Sequence, residues 1–319
     1  MAEIGQDIGK AIQFLKANDV VGIPTETVYG LAGNAFSEKA ILKIFEVKNR
    51  PLSDPLITHV PDLKSIEPLV TDFPELAKNL FEAFSPGPLT ILLPKSKLIS
   101  DLVTNSSSYV AIRIPRHPLT LQLLNSIDFP LVAPSANSFG ALSPSTALHV
   151  QKGLGRFIPY ILDGGPCLVG LESTIIKIEN DNQVRVLRQG GISEEELQLF
   201  AILDNSESQN KPVVPGTMLS HYAPRKPLIL DSVYEVLKSH LPVRIGYLGF
   251  SSYHELIPVE NQILLSETGK MDEAARHLFG ALHELDEMEI DVILVSKIPE
   301  IGLGKAIWDR LKRASAKRG

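Results

Sequence analysis

Apolar residues in the first two hundred positions show two kinds of spacing, one typical of helices and one typical of strands. Apolar residues spaced three or four positions apart predict helices over 4–17, over 37–48 with Ser37 as the cap, and over 75–84. Short β-branched or alternating runs predict strands at 20–23, 56–60, 89–93, 109–115, 130–133, 160–162, 174–178 and 184–187. Many short strands interspersed with helices favour an α/β fold with one large twisted sheet.

The pattern changes near residue 205. Residues 204–212 are polar without apolar periodicity and indicate a linker. Beyond it, strands at 228–230, 243–248, 262–265 and 292–295 alternate with helices at 233–240, 272–288 and 303–314. Such alternation is typical of a small Rossmann-like parallel sheet. We therefore predict a large domain over 1–205, a linker over 206–227 and a small α/β domain over 228–319.

Composition narrows the class of protein. The 319 residues suffice for two domains, and 31 basic against 37 acidic residues give a net charge of −6, which disfavours bulk binding to nucleic-acid backbones. The single cysteine, Cys167, excludes an internal disulfide and any Cys-based metal centre. The sequence starts without a basic, cleavable leader and contains no apolar run near the ~20 residues of a membrane span. We expect a cytoplasmic protein without membrane association.

Two polar clusters follow predicted elements. The first, PTETVYG over 24–30, comes where a strand ends, a position that favours ligand contact, although an ordinary loop has the same composition. The second contains Lys48 and Arg50 before Pro51. Because a residue before proline is biased to an extended conformation, the helix should break here and let both cations converge. Such a pair suits a polyphosphate, and the alternative is a basic helix end favoured by the helix dipole.

Further polar residues lie in or beside strands. Ser135 and Asn137 are two apart in an extended segment and so can face one ligand, unless they only form a turn. Arg113 lies opposite the apolar face of its strand, which puts it in solvent or in a polar pocket. His59 is a lone strand histidine, a type that is commonly structural. Patterns for a P-loop, a zinc protease or a serine-hydrolase elbow are absent, and no metal site built from protein ligands alone is indicated.

In this order the segments resemble the YrdC/Sua5 family, the L-threonylcarbamoyladenylate synthases. The resemblance rests on PTETVYG at 24–30, KxR at Lys48 and Arg50, AIRIP at 111–115, SxN at Ser135 and Asn137, ESTI at 172–175 and LRQG at 187–190. The linker, with Pro215, Gly216 and HYAP at 221–224, and the small α/β domain are similar to the longer, two-domain Sua5 form. The resemblance implies a YrdC-like catalytic domain over 1–205, with a large twisted mixed sheet and a concave pocket.

The family resemblance also implies a reaction and roles for residues. A nucleotidyltransferase of this kind makes threonylcarbamoyl-AMP from L-threonine, bicarbonate and ATP, releasing pyrophosphate, for the N6-threonylcarbamoyl modification of adenosine 37 in tRNAs that read codons beginning with A. Lys48 and Arg50 would be catalytic, neutralising the triphosphate. The nucleotide would be held by Lys48, Arg50, Ser135, Asn137, Ser143 and Arg188. Threonine would be held by Thr27, His59, Arg113 and Ser173. Mg²⁺ would arrive with ATP, coordinated mainly by phosphate and water.

The implied product is a mixed anhydride that water destroys, so the site needs a lid. We expect the linker to supply it, with Pro215 and Gly216 setting a turn and Tyr222 reaching over the pocket; a passive tether is the alternative. The expected partners are small-molecule substrates. We also expect hand-off of the product to a downstream threonylcarbamoyltransferase complex, and weak or no direct binding of nucleic acid.

Three other functions are open at this point. An RNA-binding module could use four cations on a concave sheet: Lys48, Arg50, Arg113 and Arg188. The acidic net charge and the 6% aromatic content argue against this function. A carbamoyltransferase of hydrogenase maturation contains a related domain but also Cys-rich zinc fingers. The C-terminal domain could be a separate nucleotide-binding enzyme, although it offers no catalytic constellation, and we expect it to be structural or regulatory.

The C-terminal end of the chain is basic. We interpret it as a solvated helix end, or else as a tRNA or partner contact. Its basic residues are Lys305, Arg310, Lys312, Arg313, Lys317 and Arg318.

Overall fold

The structure is a computed structural model that describes residues 1–206, 214–216, 221–230 and 244–316. Within these ranges the helices α1 to α9 are Ile8–Lys16, Glu38–Lys48, Glu75–Phe84, Asp101–Thr104, Pro118–Asn125, Ala147–Leu154, Glu194–Leu197, Met271–Glu287 and Gly304–Ser315. The strands β1 to β15 are Glu3–Gly5, Val21–Ile23, Gly30–Asn34, Ile57–His59, Leu89–Pro94, Tyr109–Arg113, Leu131–Val132, Tyr160–Leu162, Thr174–Asn180, Gln183–Arg188, Ile202–Leu203, Leu228–Ile229, Ile245–Gly249, Gln262–Leu264 and Val292–Val295.

The first eleven strands form one mixed sheet. Their order is β1-β8-β2-β3-β7-β4-β6-β5-β9-β10-β11. One large apolar cluster joins the sheet to α2 and α3, through residues such as Ile44, Phe81 and Ile112, and a second joins it to α1 and α5, through Leu15 and Leu123. The large mixed sheet expected from the sequence is thereby confirmed. Because helices cover it, loops at the strand ends are left to build a site.

The last four strands form a separate, all-parallel sheet in the order β12-β15-β13-β14. Helices α8 and α9 pack on it through an apolar cluster that includes Phe279, Leu282 and Leu311. This is the small parallel α/β unit expected after the linker. The predicted helix over 233–240 and half of the predicted linker lie outside the described residues, so the boundaries at 205 and 228 stay a prediction.

The N-terminal segment differs from its prediction. A helix was expected over 4–17, but Glu3–Gly5 is a strand that pairs in parallel with β8, and the helix begins at Ile8. Asp7 separates the two elements, because its side chain accepts a hydrogen bond from the Lys10 amide at 3.1 Å and caps the helix. Strand β3 and helices α5 and α6 were not predicted. The β3 sequence GLAGN has no alternation, so its strand state comes from pairing with β2 and β7.

Candidate active site

A cavity opens on the large sheet where the loop after β2, strands β4 and β6, and the linker meet. Most of the predicted site residues line it: Thr27, Arg50, His59, Arg113, Ser135, Ser173, Arg188, Pro215, Gly216 and Tyr222. Three further residues, for which no role was predicted, also line the cavity: Thr25, Glu172 and His221. Each of the three lies inside a motif that carries the family resemblance: Thr25 in PTETVYG, Glu172 in ESTI and His221 in HYAP.

Three predicted residues lie behind the cavity wall. The Lys48 ammonium is buried and donates hydrogen bonds to the backbone carbonyls of Ser135 and Asn137, each at 2.5 Å. The Asn137 amide donates to the carbonyls of Ser138 and Ala141 and lines a neighbouring cavity. The Ser143 hydroxyl donates to the Glu172 carboxylate at 2.6 Å. In this structure Lys48 and Ser143 hold the wall in shape, and the expected sharing of one cavity by Ser135 and Asn137 is not seen.

The break after Lys48 follows the prediction. Helix α2 ends at Lys48, Asn49 takes the left-handed conformation with φ 53°, and the chain then turns Arg50 into the cavity wall. The Arg50 guanidinium lies 2.9 Å from the Asp54 carboxylate. Burial raises the pKa of Asp54, with Arg50 opposing the shift, and burial followed by repulsion from Arg50 lowers the pKa of Lys48 well below its ordinary value. The two cations converge as expected, but both are buried. Arg50 pairs with Asp54, and Lys48 bonds to backbone carbonyls.

Arg113 lies in the polar pocket and not in solvent. It is 4% exposed, and its guanidinium pairs with the Glu26 carboxylate at 2.6 Å. The second oxygen of Glu26 accepts a hydrogen bond from the Arg116 amide at 3.0 Å, which fixes the carboxylate. Burial raises the pKa of Glu26, but attraction by Arg113 and the hydrogen bond from Arg116 outweigh it, and the pKa is lowered. Of the two placements that the sequence allowed for Arg113, solvent or a polar pocket, the structure shows the pocket.

His59 is a neutral hydrogen-bonding group of this cavity. It pairs with Arg113 in the β4–β6 register, and its Nδ1 lies 3.1 Å from the Ile57 carbonyl. A carbonyl only accepts, so Nδ1 carries the hydrogen and Nε2 is left as an acceptor. Burial, and then Arg113, lower the pKa of His59 to about 3. The imidazole therefore stays neutral across the physiological range.

Arg188 joins the sheet to the linker. It donates to the Ser173 carbonyl at 3.1 and 2.9 Å, to the Ser173 hydroxyl at 3.0 Å and to the Pro215 carbonyl at 2.9 Å. Gly216 has φ 77°, and a Cβ at this position would overlap the Tyr222 hydroxyl. Tyr222 is 1% exposed and lines the cavity. The linker residues expected at the lid are therefore at the cavity.

The charges around the cavity leave a positive surplus. Carboxylates pair with Arg50 and Arg113, whereas the described contacts of Lys48 and Arg188 run to carbonyl and hydroxyl oxygens. Burying charge that is not matched by an opposite charge is costly, and an anionic ligand would relieve that cost. The arrangement suits a ligand with several negative charges.

The structure corrects the interpretation of the basic C-terminal residues as a solvated helix end. Arg310 is not a solvated helix residue: it is 1% exposed and donates to the Glu172 carboxylate at 2.8 Å. Lys305 pairs with Glu194 at 2.8 Å and with Glu195 at 3.0 Å. Lys317 and Arg318 lie outside the described residues. Helix α9 therefore packs on the larger domain.

Two absences hold for the described part of the chain. Within it, no group of three or more His, Cys, Asp or Glu side chains is placed to hold a metal ion. None of the helices in the described ranges combines the length and the apolar content that crossing a bilayer requires.

Comparison with known proteins assigns the chain to a family. Residues 13–190 match the Sua5/YciO/YrdC family, described as "Telomere recombination", and residues 192–316 match "Threonylcarbamoyl-AMP synthase, C-terminal domain". The chain belongs to the Sua5/YciO/YrdC family. It has the two-domain Sua5 form that its motifs indicated.

Similar proteins cover the whole chain. The threonylcarbamoyl-AMP synthase of Bacillus subtilis is 36% identical over 324 residues, 98% of this chain and 93% of the relative. That of Pyrococcus abyssi is 36% identical over 327 residues, 97% of this chain and 94% of the relative. The crystal structure of P. abyssi Sua5 complexed with L-threonine superposes with a TM-score of 0.88 at 33% identity and covers 99% of this chain and 97% of that one. The fold is therefore shared over both units.

Proposed function

We infer that this chain is a threonylcarbamoyl-AMP synthase, an enzyme of the nucleotidyltransferase type that serves tRNA modification. Relatives of that name match it over nearly its full length. The observation that carries the inference is that Arg113, His59, Arg50, Ser135 and Arg188 line one cavity. This set suits an amino acid beside a nucleoside triphosphate.

The proposed reaction needs little covalent chemistry from the protein. The threonine amine and bicarbonate give a carbamate and water. A carbamate oxygen then forms a bond to the α-phosphorus of ATP, and the bond to the β-phosphate oxygen breaks to release pyrophosphate. For such a transfer, orientation and neutralisation of charge dominate the rate.

The threonine end of the proposed site is built around Arg113. Glu26 holds its guanidinium, which can form two hydrogen bonds with the substrate carboxylate. The Nε2 atom of neutral His59 accepts a hydrogen bond from the amine or the hydroxyl of threonine. The hydroxyls of Thr27 and Ser173 complete this end; in the free protein they bond to Thr25 at 2.7 Å and to Thr90 at 2.7 Å.

We propose that the nucleotide binds at the part of the cavity where positive charge exceeds negative charge. Arg50, Arg188 and Ser135 line the cavity, while Lys48, Asn137 and Ser143 shape the loops behind it. The carboxylates at this end are already engaged, since Asp54 pairs with Arg50 and Glu172 with Arg310. Mg²⁺ therefore fits as part of the Mg²⁺·ATP substrate, coordinated by phosphate and water.

The activity is tested by incubating the full chain with ATP, bicarbonate and radiolabelled threonine. We expect pyrophosphate and a threonine-containing adenylate, and neither when threonine is omitted. Serine should substitute in part, because one methyl group discriminates by only ~1–3 kcal/mol. Pyrophosphate release that ignores threonine would overturn the assignment. Salt-sensitive tRNA binding without pyrophosphate release would favour the RNA-binding alternative.

We also propose that Tyr222 protects the product from water. Its side chain is buried against the cavity beside Gly216. Tyr222→Ala should lower the yield of adenylate per ATP consumed, and Tyr222→Phe should separate the hydroxyl from the bulk of the ring. Tyr253→Ala is the control, since Tyr253 is 52% exposed in the C-terminal unit. Unchanged yields in both Tyr222 variants would leave the linker a passive tether.

The fate of the product is a further proposal. A short-lived anhydride favours direct transfer to a downstream threonylcarbamoyltransferase complex, and the cytoplasm is the expected place. If transfer is direct, a hydrolase or nucleophile that traps free adenylate should not reduce tRNA modification in a reconstituted mixture. A proportional loss of modification would indicate release into solution.

A further inference from the structure

Helix α9 contacts the larger domain at two points along its length and the linker at a third. Near its start Lys305 pairs with Glu194 and Glu195 of α7. In its middle Arg310 pairs with Glu172 at 2.8 Å, and near its end the Arg313 carbonyl accepts a hydrogen bond from the His221 amide at 3.3 Å. The second and third points reach residues that line the cavity, whereas the first does not.

The Arg310 guanidinium donates three hydrogen bonds at this junction. It donates to the Glu172 carboxylate at 2.8 Å, to the Gln189 carbonyl at 2.7 Å and to the Asp309 carboxylate at 2.7 Å. Its central carbon lies 5.0 Å from the centre of the Tyr222 ring, within range of a cation–π interaction. One side chain of the C-terminal unit thus contacts both a wall residue and a linker residue of the cavity.

The contact extends to the predicted nucleotide site through Glu172. One carboxylate oxygen accepts from Arg310 and the other from the Ser143 hydroxyl at 2.6 Å. Glu172 is 6% exposed, and a buried carboxylate that loses its cation protonates or turns toward water. Protonation would weaken the hydrogen bond from Ser143, and rotation toward water would break it. Loss of the guanidinium would also remove the charged group that faces the Tyr222 ring.

We propose that Arg310 is a positioning residue for the nucleotide site, through which the C-terminal unit sets the places of Ser143, Glu172 and Tyr222. This gives the second unit a defined part in the reaction without a catalytic group of its own. The inference rests on the proposed synthase function.

The test compares three variants of the full chain. Arg310→Met removes the charge, Arg310→Lys keeps the charge but not the planar fork, and Lys305→Met breaks a docking contact of the same helix away from the cavity. For each variant, Tm is measured first, and the KM values for ATP and for threonine are then measured well below the lowest Tm. Binding of a non-hydrolysable ATP analogue by equilibrium dialysis gives a readout independent of turnover.

We expect Arg310→Met to raise the KM for ATP and the analogue's Kd about ten-fold or more, with the KM for threonine nearly unchanged. Arg310→Lys should recover Tm but keep a raised KM for ATP, because an ammonium cannot reach Glu172, Gln189 and the Tyr222 ring together. Lys305→Met should change Tm alone.

Two results would overturn the proposal. One is an unchanged ATP affinity in Arg310→Met, and the other is an equal loss in Lys305→Met, which would assign the effect to docking of the helix as a whole. A wild-type chain that makes no adenylate would instead defeat the proposed function. The two failures are therefore distinguishable.

Discussion

Arg113 and Glu26 form a buried ion pair of 2.6 Å that joins strand β6 to the loop after β2. Glu26 is held in turn by the Arg116 amide, and Arg113 stands beside His59 in the β4–β6 register. The pair therefore orients a guanidinium at the cavity before any substrate enters. Orientation in advance reduces the entropy that binding must otherwise remove.

Arg113→Lys should impair threonine binding selectively. An ammonium on a flexible stem cannot offer the paired donors that a carboxylate accepts. A charged hydrogen bond contributes ~1.5–3 kcal/mol, or about 10- to 150-fold in KM for threonine. The KM for ATP should change little. Arg116→Lys, at an exposed neighbouring position, is the control. Equal effects on both substrates in pyrophosphate-release kinetics would contradict the assignment of Arg113 to the carboxylate.

Lys48 should take up a proton when ATP binds. Burial, and then Arg50, lower its pKa in the free protein, and the negative triphosphate would raise it again. Calorimetric titrations in buffers with different ionisation enthalpies measure this uptake. The affinity for ATP should fall as the pH rises through the lowered pKa, because the ammonium then loses the proton that the bound triphosphate favours. Lys48→Met should bind ATP more weakly and with less proton uptake; identical uptake would exclude Lys48 as the group.

Gly216→Ala should weaken nucleotide binding more than its backbone strain explains. Gly216 and Gly140 have nearly the same φ, 77° and 76°. A Cβ at Gly216 would overlap the Tyr222 hydroxyl, whereas one at Gly140 meets nothing within 4 Å. Gly140→Ala is therefore a matched control that costs only the ~1–2 kcal/mol of a left-handed alanine. Equal ATP affinities for the two variants, measured at matched temperatures below Tm, would show that Tyr222 is free to move.

Buried histidines should make the fold sensitive to acid. Burial lowers the pKa of His59 and His221 to about 3 and that of His149 to about 4, whereas an unfolded histidine titrates near ~6.5. Between these values the unfolded chain binds more protons, so the free energy of unfolding should fall as the pH drops from 6.5 toward 4. Each fully buried histidine adds up to ~1.4 kcal/mol per pH unit.

Denaturant unfolding at several pH values checks this slope. The His149 ring stacks on His283 with ring centres 3.9 Å apart, so His149→Phe keeps a ring in the stack and removes one titrating group. Its slope below pH 6.5 should be shallower than that of the wild type. An unchanged slope would mean that His149 is protonated in the native state.

Local rules were sufficient for much of the fold. Ser37 caps α2 as predicted, and the helix ends at Lys48 because Arg50 precedes Pro51. Helix α3 spans the predicted range 75–84. The N-terminal strand was missed because Ile4 also fits the helical spacing of the segment that follows, and only its pairing with β8 makes it extended. The spacing of apolar residues indicates which side of a segment is buried, but not which other segment covers it.

The candidate site divides in the same way. Its motifs, from PTETVYG to HYAP, were readable along the chain, and most of the predicted residues line one cavity. The roles of Glu26 and Arg310 were not readable, because each depends on a partner distant in sequence. By sequence, Arg113 fits either solvent or a polar pocket, and Arg310 fits either a solvated helix end or a tRNA or partner contact. The pairing of Arg113 with Glu26 and of Arg310 with Glu172 decides both.

The sequence by itself determined the order of elements, the two-part organisation and the residue types available for an anionic substrate. These follow from apolar spacing, capping and proline, which act over a few residues. Tertiary structure alone decided which charges are buried, which carboxylate each one meets and that the second unit reaches the cavity. A buried charge is tolerated only when folding brings an opposite charge or a polar partner to it, and that condition is met between residues far apart in the chain.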